Sequence, residues 1–159
     1  MSDAPALVVL AAGASSRLGE CKATLDLSGS SPLERLLAAG RDERAAAAPL
    51  VVSGAHHAEI AAALARLSSG PWDLVRNRDW AAGRSGSVLC AARARPGLDL
   101  LIAPVDVPLV PREVFAALRE AWARAGAPSH GWLAPLHDSD AGARHGHPLI
   151  VGLARLEEL

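Results

Sequence analysis

Lysine is almost missing from this sequence. Of its sixteen basic residues one, Lys22, is lysine; the rest are arginine. Tyrosine is absent, phenylalanine occurs once, and aromatic residues make up 3% of the chain. Together with the abundance of alanine, this pattern reads as codon bias toward G and C, so alanine here is weak evidence for helix. An excess of either charge is lacking too: the formal net charge is -1, which gives no reason to expect nucleic acid or an anionic membrane as partner. No apolar run approaches the length of a membrane span. The N-terminal MSDAPALVVLAAG lacks a basic stretch and reads as a strand, not a signal peptide. The two cysteines, Cys21 and Cys90, make no disulfide framework. The expected compartment is therefore the cytoplasm.

What is present is apolar patterning. Half of the 159 residues are hydrophobic, enough for one domain (1–159) with a real core. Ala6–Ala11, Leu50–Ser53, Trp72–Val75 and Leu98–Ala103 are short apolar runs that read as strands. Gly131–Pro135 and Pro148–Val151 read as two more, separated by a polar loop over 136–147 that includes Asp138 and Asp140. Helices are expected between them. The first begins at Ser31-Pro32-Leu33-Glu34, a capping box with proline at the first helical position. Others cover His57–Leu67, with Ile60, Leu64 and Leu67 on one face, and Ser85–Ala94. Pro111–Arg124 follows, with Val114, Phe115, Leu118 and Trp122 facing inward. Strands alternating with helices predict an α/β fold around a mainly parallel sheet. In such a fold the loops after the strands share one edge.

Three of these loops carry chemistry. After the first strand comes Leu10-Ala11-Ala12-Gly13-Ala14-Ser15-Ser16-Arg17-Leu18-Gly19-Glu20-Cys21-Lys22. Small residues let a ligand approach the backbone N–H groups, and Ser15, Ser16, Arg17 and Lys22 add hydroxyl and cationic donors. That is the chemistry of a phosphate cradle, although neither the Walker spacing nor G-x-G-x-x-G is present. An ordinary surface loop would also fit. The single lysine favours the cradle: where arginine serves everywhere else, a compact ammonium marks a place that a planar fork does not suit. After the third strand, Asn77 could read a base or ribose, and Ser85 to Ser87 could offer donors at a helix N-terminus. Helix capping, with Trp80 as packing, is the alternative. After the fourth strand, Asp106 stands between Pro104 and Pro108. A lone carboxylate at the carboxyl edge of a buried strand is a candidate metal ligand or, equally, a turn cap. The six histidines do not fall into the Cys/His spacings of a zinc site.

Taken together, these segments resemble the MobA-like nucleotidyltransferases, which include the enzymes that attach CMP or GMP to the molybdenum–pterin cofactor. L-A-A-G-x-S-x-R-x-G-x-x-K matches at Leu10, Ala11, Ala12, Gly13, Ser15, Arg17, Gly19 and Lys22. N-x-x-W-x-x-G-x-x-x-S matches at Asn77, Trp80, Gly83 and Ser87, and D-x-P-L begins at Asp106. R-x-G-H-P matches at Arg144, Gly146, His147 and Pro148. The resemblance implies a Rossmann-like three-layer fold and a Mg²⁺-dependent transfer of CMP, or of GMP, to the molybdenum–pterin with release of pyrophosphate. Leu10 to Gly13, Ser15, Arg17, Lys22, Asn77 and Ser87 would bind the nucleotide. Arg17, Lys22 and Asp106 would be catalytic, and Asp106 would hold the metal. Arg144, Gly146 and His147 would bind the acceptor. Ala12, where guanylyl relatives carry glycine, leans toward CTP. A molybdoenzyme or its chaperone would be the partner protein.

Two departures stand out. Cys21 replaces the proline that many relatives carry before the lysine; it is either a thiol made reactive by its cationic neighbours or a small loop residue. The further C-terminal aspartate of the family has no counterpart in these residues, and neither Asp138 nor Asp140 matches it. Two other readings therefore stay open: a nucleotide-binding or regulatory protein of the same fold, and a sugar-phosphate or methylerythritol-phosphate nucleotidyltransferase.

Overall fold

The computed structural model describes residues 4–158 except 46, 69, 140 and 141. The sequence expectation for Asp140 therefore lies outside the described residues. Strands β1 (Ala6–Ala11), β2 (Leu50–Ser53), β3 (Asp73–Arg76) and β4 (Leu100–Pro104) alternate with helices α1 (Pro32–Gly40), α2 (His57–Arg66) and α3 (Arg84–Ala94). Helix α4 (Arg112–Arg124) follows β4. The chain then adds β5 (Trp132–Leu133), β6 (Leu136–Ser139), β7 (Gly142–His145), β8 (Leu149–Val151) and α5 (Leu153–Glu157).

The main sheet has the order β3-β2-β1-β4-β8-β5. β1 is parallel to both β2 and β4, in a register that sets Val9 beside Val51 on one side and Ala103 on the other. β8 runs antiparallel to β4 and β5. The mainly parallel α/β expectation therefore holds.

Alternation along the strands builds two cores. Leu7, Val9, Val51 and Leu101 face Leu33, Leu36, Ile60, Leu64, Phe115, Leu118 and Trp122 of α1, α2 and α4. Ala6, Val8, Val52, Leu100 and Ile102 face Ala91 of α3 and Leu156 of α5. The sheet is thus covered on both faces, and each large side chain taken wholly out of water contributes roughly 1.5–3 kcal/mol. The α1 capping box forms as expected: the Glu34 amide donates to Ser31 Oγ at 3.2 Å, and the Ser31 amide donates to Glu34 Oε2 at 2.6 Å.

The C-terminal third departs from the sequence reading. The segment expected to be a polar loop contains the β6–β7 hairpin, a separate two-stranded sheet. Its residues are polar because β7 is exposed along its whole length, so no apolar alternation marks it. The strand expected at Gly131–Pro135 contracts to Trp132–Leu133. Helix α5 was not expected; it is held by the Leu153 amide donating to Asp99 Oδ1 at 2.9 Å. Val114 is only half-buried, unlike Phe115, Leu118 and Trp122.

Connections leave β1 toward β2 on one side and return to β4 on the other. The order therefore reverses between β1 and β4, and in open α/β sheets a crevice opens at that switch point beyond the strand ends. The loops that leave these two strands are the ones carrying Lys22 and Asp106.

Candidate active site

At the switch point lies a cleft of about 460 Å³. Its floor is the end of β1, Leu10 to Ala12, which is buried. Gly13, Ser15, Ser16, Arg17 and Lys22 line one wall, and Pro104 to Asp106 the other. Trp80, Gly83, Arg84 and Ser87 close it from the start of α3.

The wall over 12–22 is shaped by Ser15. Its backbone is left-handed, with φ of +50°, a conformation that costs a residue other than glycine roughly 1–2 kcal/mol. Local hydrogen bonds offset that cost. The Ser15 carbonyl accepts from the amides of Leu18 at 2.9 Å and Gly19 at 3.2 Å. Its Oγ accepts from the Lys22 amide at 3.1 Å. The loop therefore curls back, and Lys22 returns to the mouth of the cleft. Gly54 makes room for this floor: a Cβ there would lie 2.3 Å from the Ala12 carbonyl oxygen and 2.6 Å from Trp80 Cβ.

Charge gathers at one point. Lys22 Nζ lies 2.9 Å from Asp106 Oδ1, and Arg84 reaches Asp106 Oδ2 at 3.8 Å. Lys22 and Asp106 are 84 residues apart in sequence. Both side chains are partly exposed, at 38% and 51%, and such a pair contributes only about 0–1 kcal/mol. An incoming polyanion and its metal can redistribute these charges at little cost. Asp106 is the one acidic residue among the described lining residues. A single carboxylate completed by phosphate oxygens and water is a usual Mg²⁺ donor set, so the residues fit a hard divalent ion.

Asn77 takes a different place from the other nucleotide-site candidates. It is buried and does not line the cleft. Its Nδ2 donates to Ser87 Oγ at 3.0 Å, and its Oδ1 accepts from the Asp79 amide at 3.0 Å. It ties the loop before α3 to the first turn of that helix. Gly83 caps α3 with φ of +114° and no side-chain hydrogen bond, leaving the helix's first amides turned toward the cleft with its positive dipole end.

A second hollow, about 350 Å³, adjoins the first and shares Leu10 and Arg84 with it. It is mostly apolar, walled by Val88, Trp132, Leu149 and Val151, with Ser85, His147 and Arg155 as further polar members. Of the three acceptor candidates, only His147 lines it. Arg144 is exposed on β7, and Gly146 donates its amide to the Pro135 carbonyl at 2.8 Å. His147 Nδ1 is buried without a hydrogen-bond partner among the described residues. Burial, then the nearby Arg84 charge, lowers the His147 pKa below the ordinary histidine value.

The sequence reading brought Lys22, Asp106, Arg17 and Ser87 to one cleft but missed Arg84 and Gly54. A signal for Arg84 was present. A cation at the first position of a helix opposes the dipole, and a residue that breaks a local rule often serves a site. Gly54 had no comparable signal, because the groups it accommodates come from two other segments.

Residues 7–159 match the model of the MobA-like NTP transferase domain. No curated protein sequence matches the chain. Among solved structures, a nucleotidyl transferase from Methanothermobacter thermautotroptrophicus is 26% identical, with a TM-score of 0.72 over 99% of this chain and 75% of that one. Molybdopterin-guanine dinucleotide biosynthesis protein A from Archaeoglobus fulgidus shares the fold at 21% identity and a TM-score of 0.65, covering 96% and 69%. Rv0371C from Mycobacterium tuberculosis, in complex with manganese, shares it at 19% identity and 0.68, covering 99% and 75%.

Proposed function

The chain belongs to the MobA-like NTP transferase family, and from that premise we propose that it transfers CMP, or failing that GMP, from the triphosphate to a molybdenum–pterin acceptor. The observation that carries this reading is the pair of hollows joined at Leu10 and Arg84, one cationic and one apolar. A transfer between two bound molecules needs such adjoining subsites, since holding both reactants in place supplies much of the rate.

The polar cleft receives the triphosphate. Its phosphates meet Arg17, Lys22 and the open N-terminus of α3, while Ser15 holds the loop in shape. A divalent metal, Mg²⁺ by the resemblance, would be held at Asp106 and would supply charge neutralisation on the triphosphate. Arg84 sits where the two subsites meet and lies beside the reacting phosphates of both molecules. A phosphate oxygen of the acceptor attacks the α-phosphorus, the bond to the β-phosphate bridging oxygen breaks, and pyrophosphate leaves with that electron pair. No protein nucleophile is needed, and positioning plus electrostatics carry the reaction. The apolar hollow takes the flat acceptor ring against Trp132 and Leu149. His147, neutral near pH 7, offers it a hydrogen bond, and Arg144 and Gly146 act from outside this hollow. Asn77 is a positioning residue. Ala12, where guanylyl relatives carry glycine, favours CTP by the resemblance.

Thermal-shift titration with CTP, GTP, ATP and UTP, with and without Mg²⁺, tests the nucleotide half of the reading; CTP with Mg²⁺ is expected to stabilise most. Pyrophosphate release on adding the molybdenum–pterin tests the other half. Stabilisation by nucleotide with no release from that acceptor or from a sugar or polyol phosphate would make the chain a binding protein of this fold. Release with such a phosphate alone would move the acceptor assignment.

A further inference from the structure

Cys21, which lines the cleft beside Lys22, meets two donor side chains from a distant part of the chain. Cys21 Sγ, a ring nitrogen of His56 and a carboxylate oxygen of Glu59 all lie within 4.8 Å of one another. Cys21 belongs to the loop after β1 and is buried; His56 and Glu59 stand at the start of α2. His56 Nδ1 is 3.0 Å from Glu59 Oε1. Its other nitrogen, Nε2, is 2.9 Å from the Ala14 carbonyl oxygen.

We propose that Cys21, His56 and Glu59 form a binding site for zinc or a similar borderline divalent cation, distinct from the metal position at Asp106. Thiolate, imidazole and carboxylate are together a zinc donor set, with a fourth position left for water. Metal–ligand bonds of about 2.0–2.3 Å at tetrahedral angles set donors roughly 3.3–3.6 Å apart. The His56–Glu59 spacing of 3.0 Å is already close to that, and Cys21 Sγ lies within 4.8 Å of a donor atom of each. The Ala14 contact gives the second observation. A metal-bound histidine ordinarily donates its remaining N–H to a backbone carbonyl, which fixes the ring, and His56 Nε2 faces such a carbonyl. In the metal-free protein both ring nitrogens face acceptors: the Ala14 hydrogen bond first, then Glu59, raise the His56 pKa, and bound metal takes the place of the Nδ1 proton. A hard ion such as Mg²⁺ prefers oxygen donors and does not compete here.

The consequence falls on the nucleotide loop. Cys21 precedes Lys22, and Ala14 precedes Ser15, so one ion would fasten both ends of the curled segment to α2. The test needs neither nucleotide nor acceptor. Co²⁺ is titrated into the full chain without Mg²⁺. The expected result is one equivalent bound with a near-ultraviolet thiolate-to-cobalt charge-transfer band. That band is lost in Cys21→Ser and kept in Cys90→Ser and Asp106→Asn. Glu59 is exposed, so Glu59→Gln keeps the fold; it is expected to weaken Co²⁺ at least tenfold, as loss of even an outer-shell partner costs about 10–100-fold. Zn²⁺ should raise the Tm of the wild type and not of Cys21→Ser. Absence of the band in the wild type, or its survival in Cys21→Ser, overturns the proposal.

Discussion

The two adjoining hollows are built in opposite ways. The loop wall of the polar cleft is shaped by neighbours in sequence: Ser15 bonds to Leu18, Gly19 and Lys22. The apolar hollow is assembled from the end of β1, α3, β4, β5 and β8, and no two of its walls share a local motif. Local hydrogen bonds shape a loop before any ligand arrives, so the cleft is pre-organised for a charge that every nucleoside triphosphate carries. Tertiary packing shapes the hollow, so its contour can differ between relatives with the same cleft. The triphosphate half of the activity is therefore the general half, and the acceptor half the particular one.

Breaking the cleft should cost the most. Asp106→Asn is expected to lower metal-dependent turnover on the order of 10²–10³-fold with Tm nearly unchanged, since the Lys22 pair is exposed. Pyrophosphate release and thermal melting check this; full turnover would remove the metal assignment. Lys22→Ala should weaken triphosphate binding on the order of 10–100-fold, as expected for a charge-assisted hydrogen bond of about 1.5–3 kcal/mol, while leaving nucleoside binding nearly unchanged. Calorimetric titration with CTP and cytidine separates the two, and equal losses would count against a phosphate role. Lys22→Arg should restore only part of the affinity, because a fork does not replace a point charge.

Smaller changes sharpen the contrast. Gly83→Ala places a Cβ on a residue with φ of +114° and should cost about 1–3 kcal/mol of stability, read by denaturant melts. It should also weaken nucleotide, because the start of α3 must shift. In the hollow, His147→Gln should raise KM for the acceptor severalfold without altering the Kd for CTP. A parallel change in both would merge the two subsites into one.

The smallest effect is a pH dependence. His147 has a folded pKa below its unfolded value near 6.5, so below that pH the unfolded chain binds more protons than the fold. Stability is lost as pH falls from about 6.5 toward the lower folded value, and His147→Gln should flatten that part of a Tm–pH curve. An unchanged slope would place the titration elsewhere.

Legibility followed the same division. The α1 capping box and the apolar runs of β1 and β2 depend on neighbours in sequence, and the structure reproduces them at the expected residues. The exposed β6–β7 hairpin and the short α5 depend on partners far along the chain, and their sequences carry no period to betray them. Asn77 shows the limit within a motif: its presence near the nucleotide loop was readable, but its burial against Ser87 was not. The grouping of Cys21, His56 and Glu59 was not legible either, because Cys21 meets the other two only across the fold.

By itself the sequence determined the alternation of strand and helix, the small-residue loop ending in the one lysine, and the carboxylate at the end of the most apolar strand. Those features rest on local sterics and periodic burial, which act over a few residues. Only the tertiary structure decided that Lys22 and Asp106 touch, that Arg84 joins them, and that an apolar hollow opens beside the cleft. These contacts follow from the strand order, which reverses between β1 and β4 and brings the ends of two strands far apart in sequence to one edge.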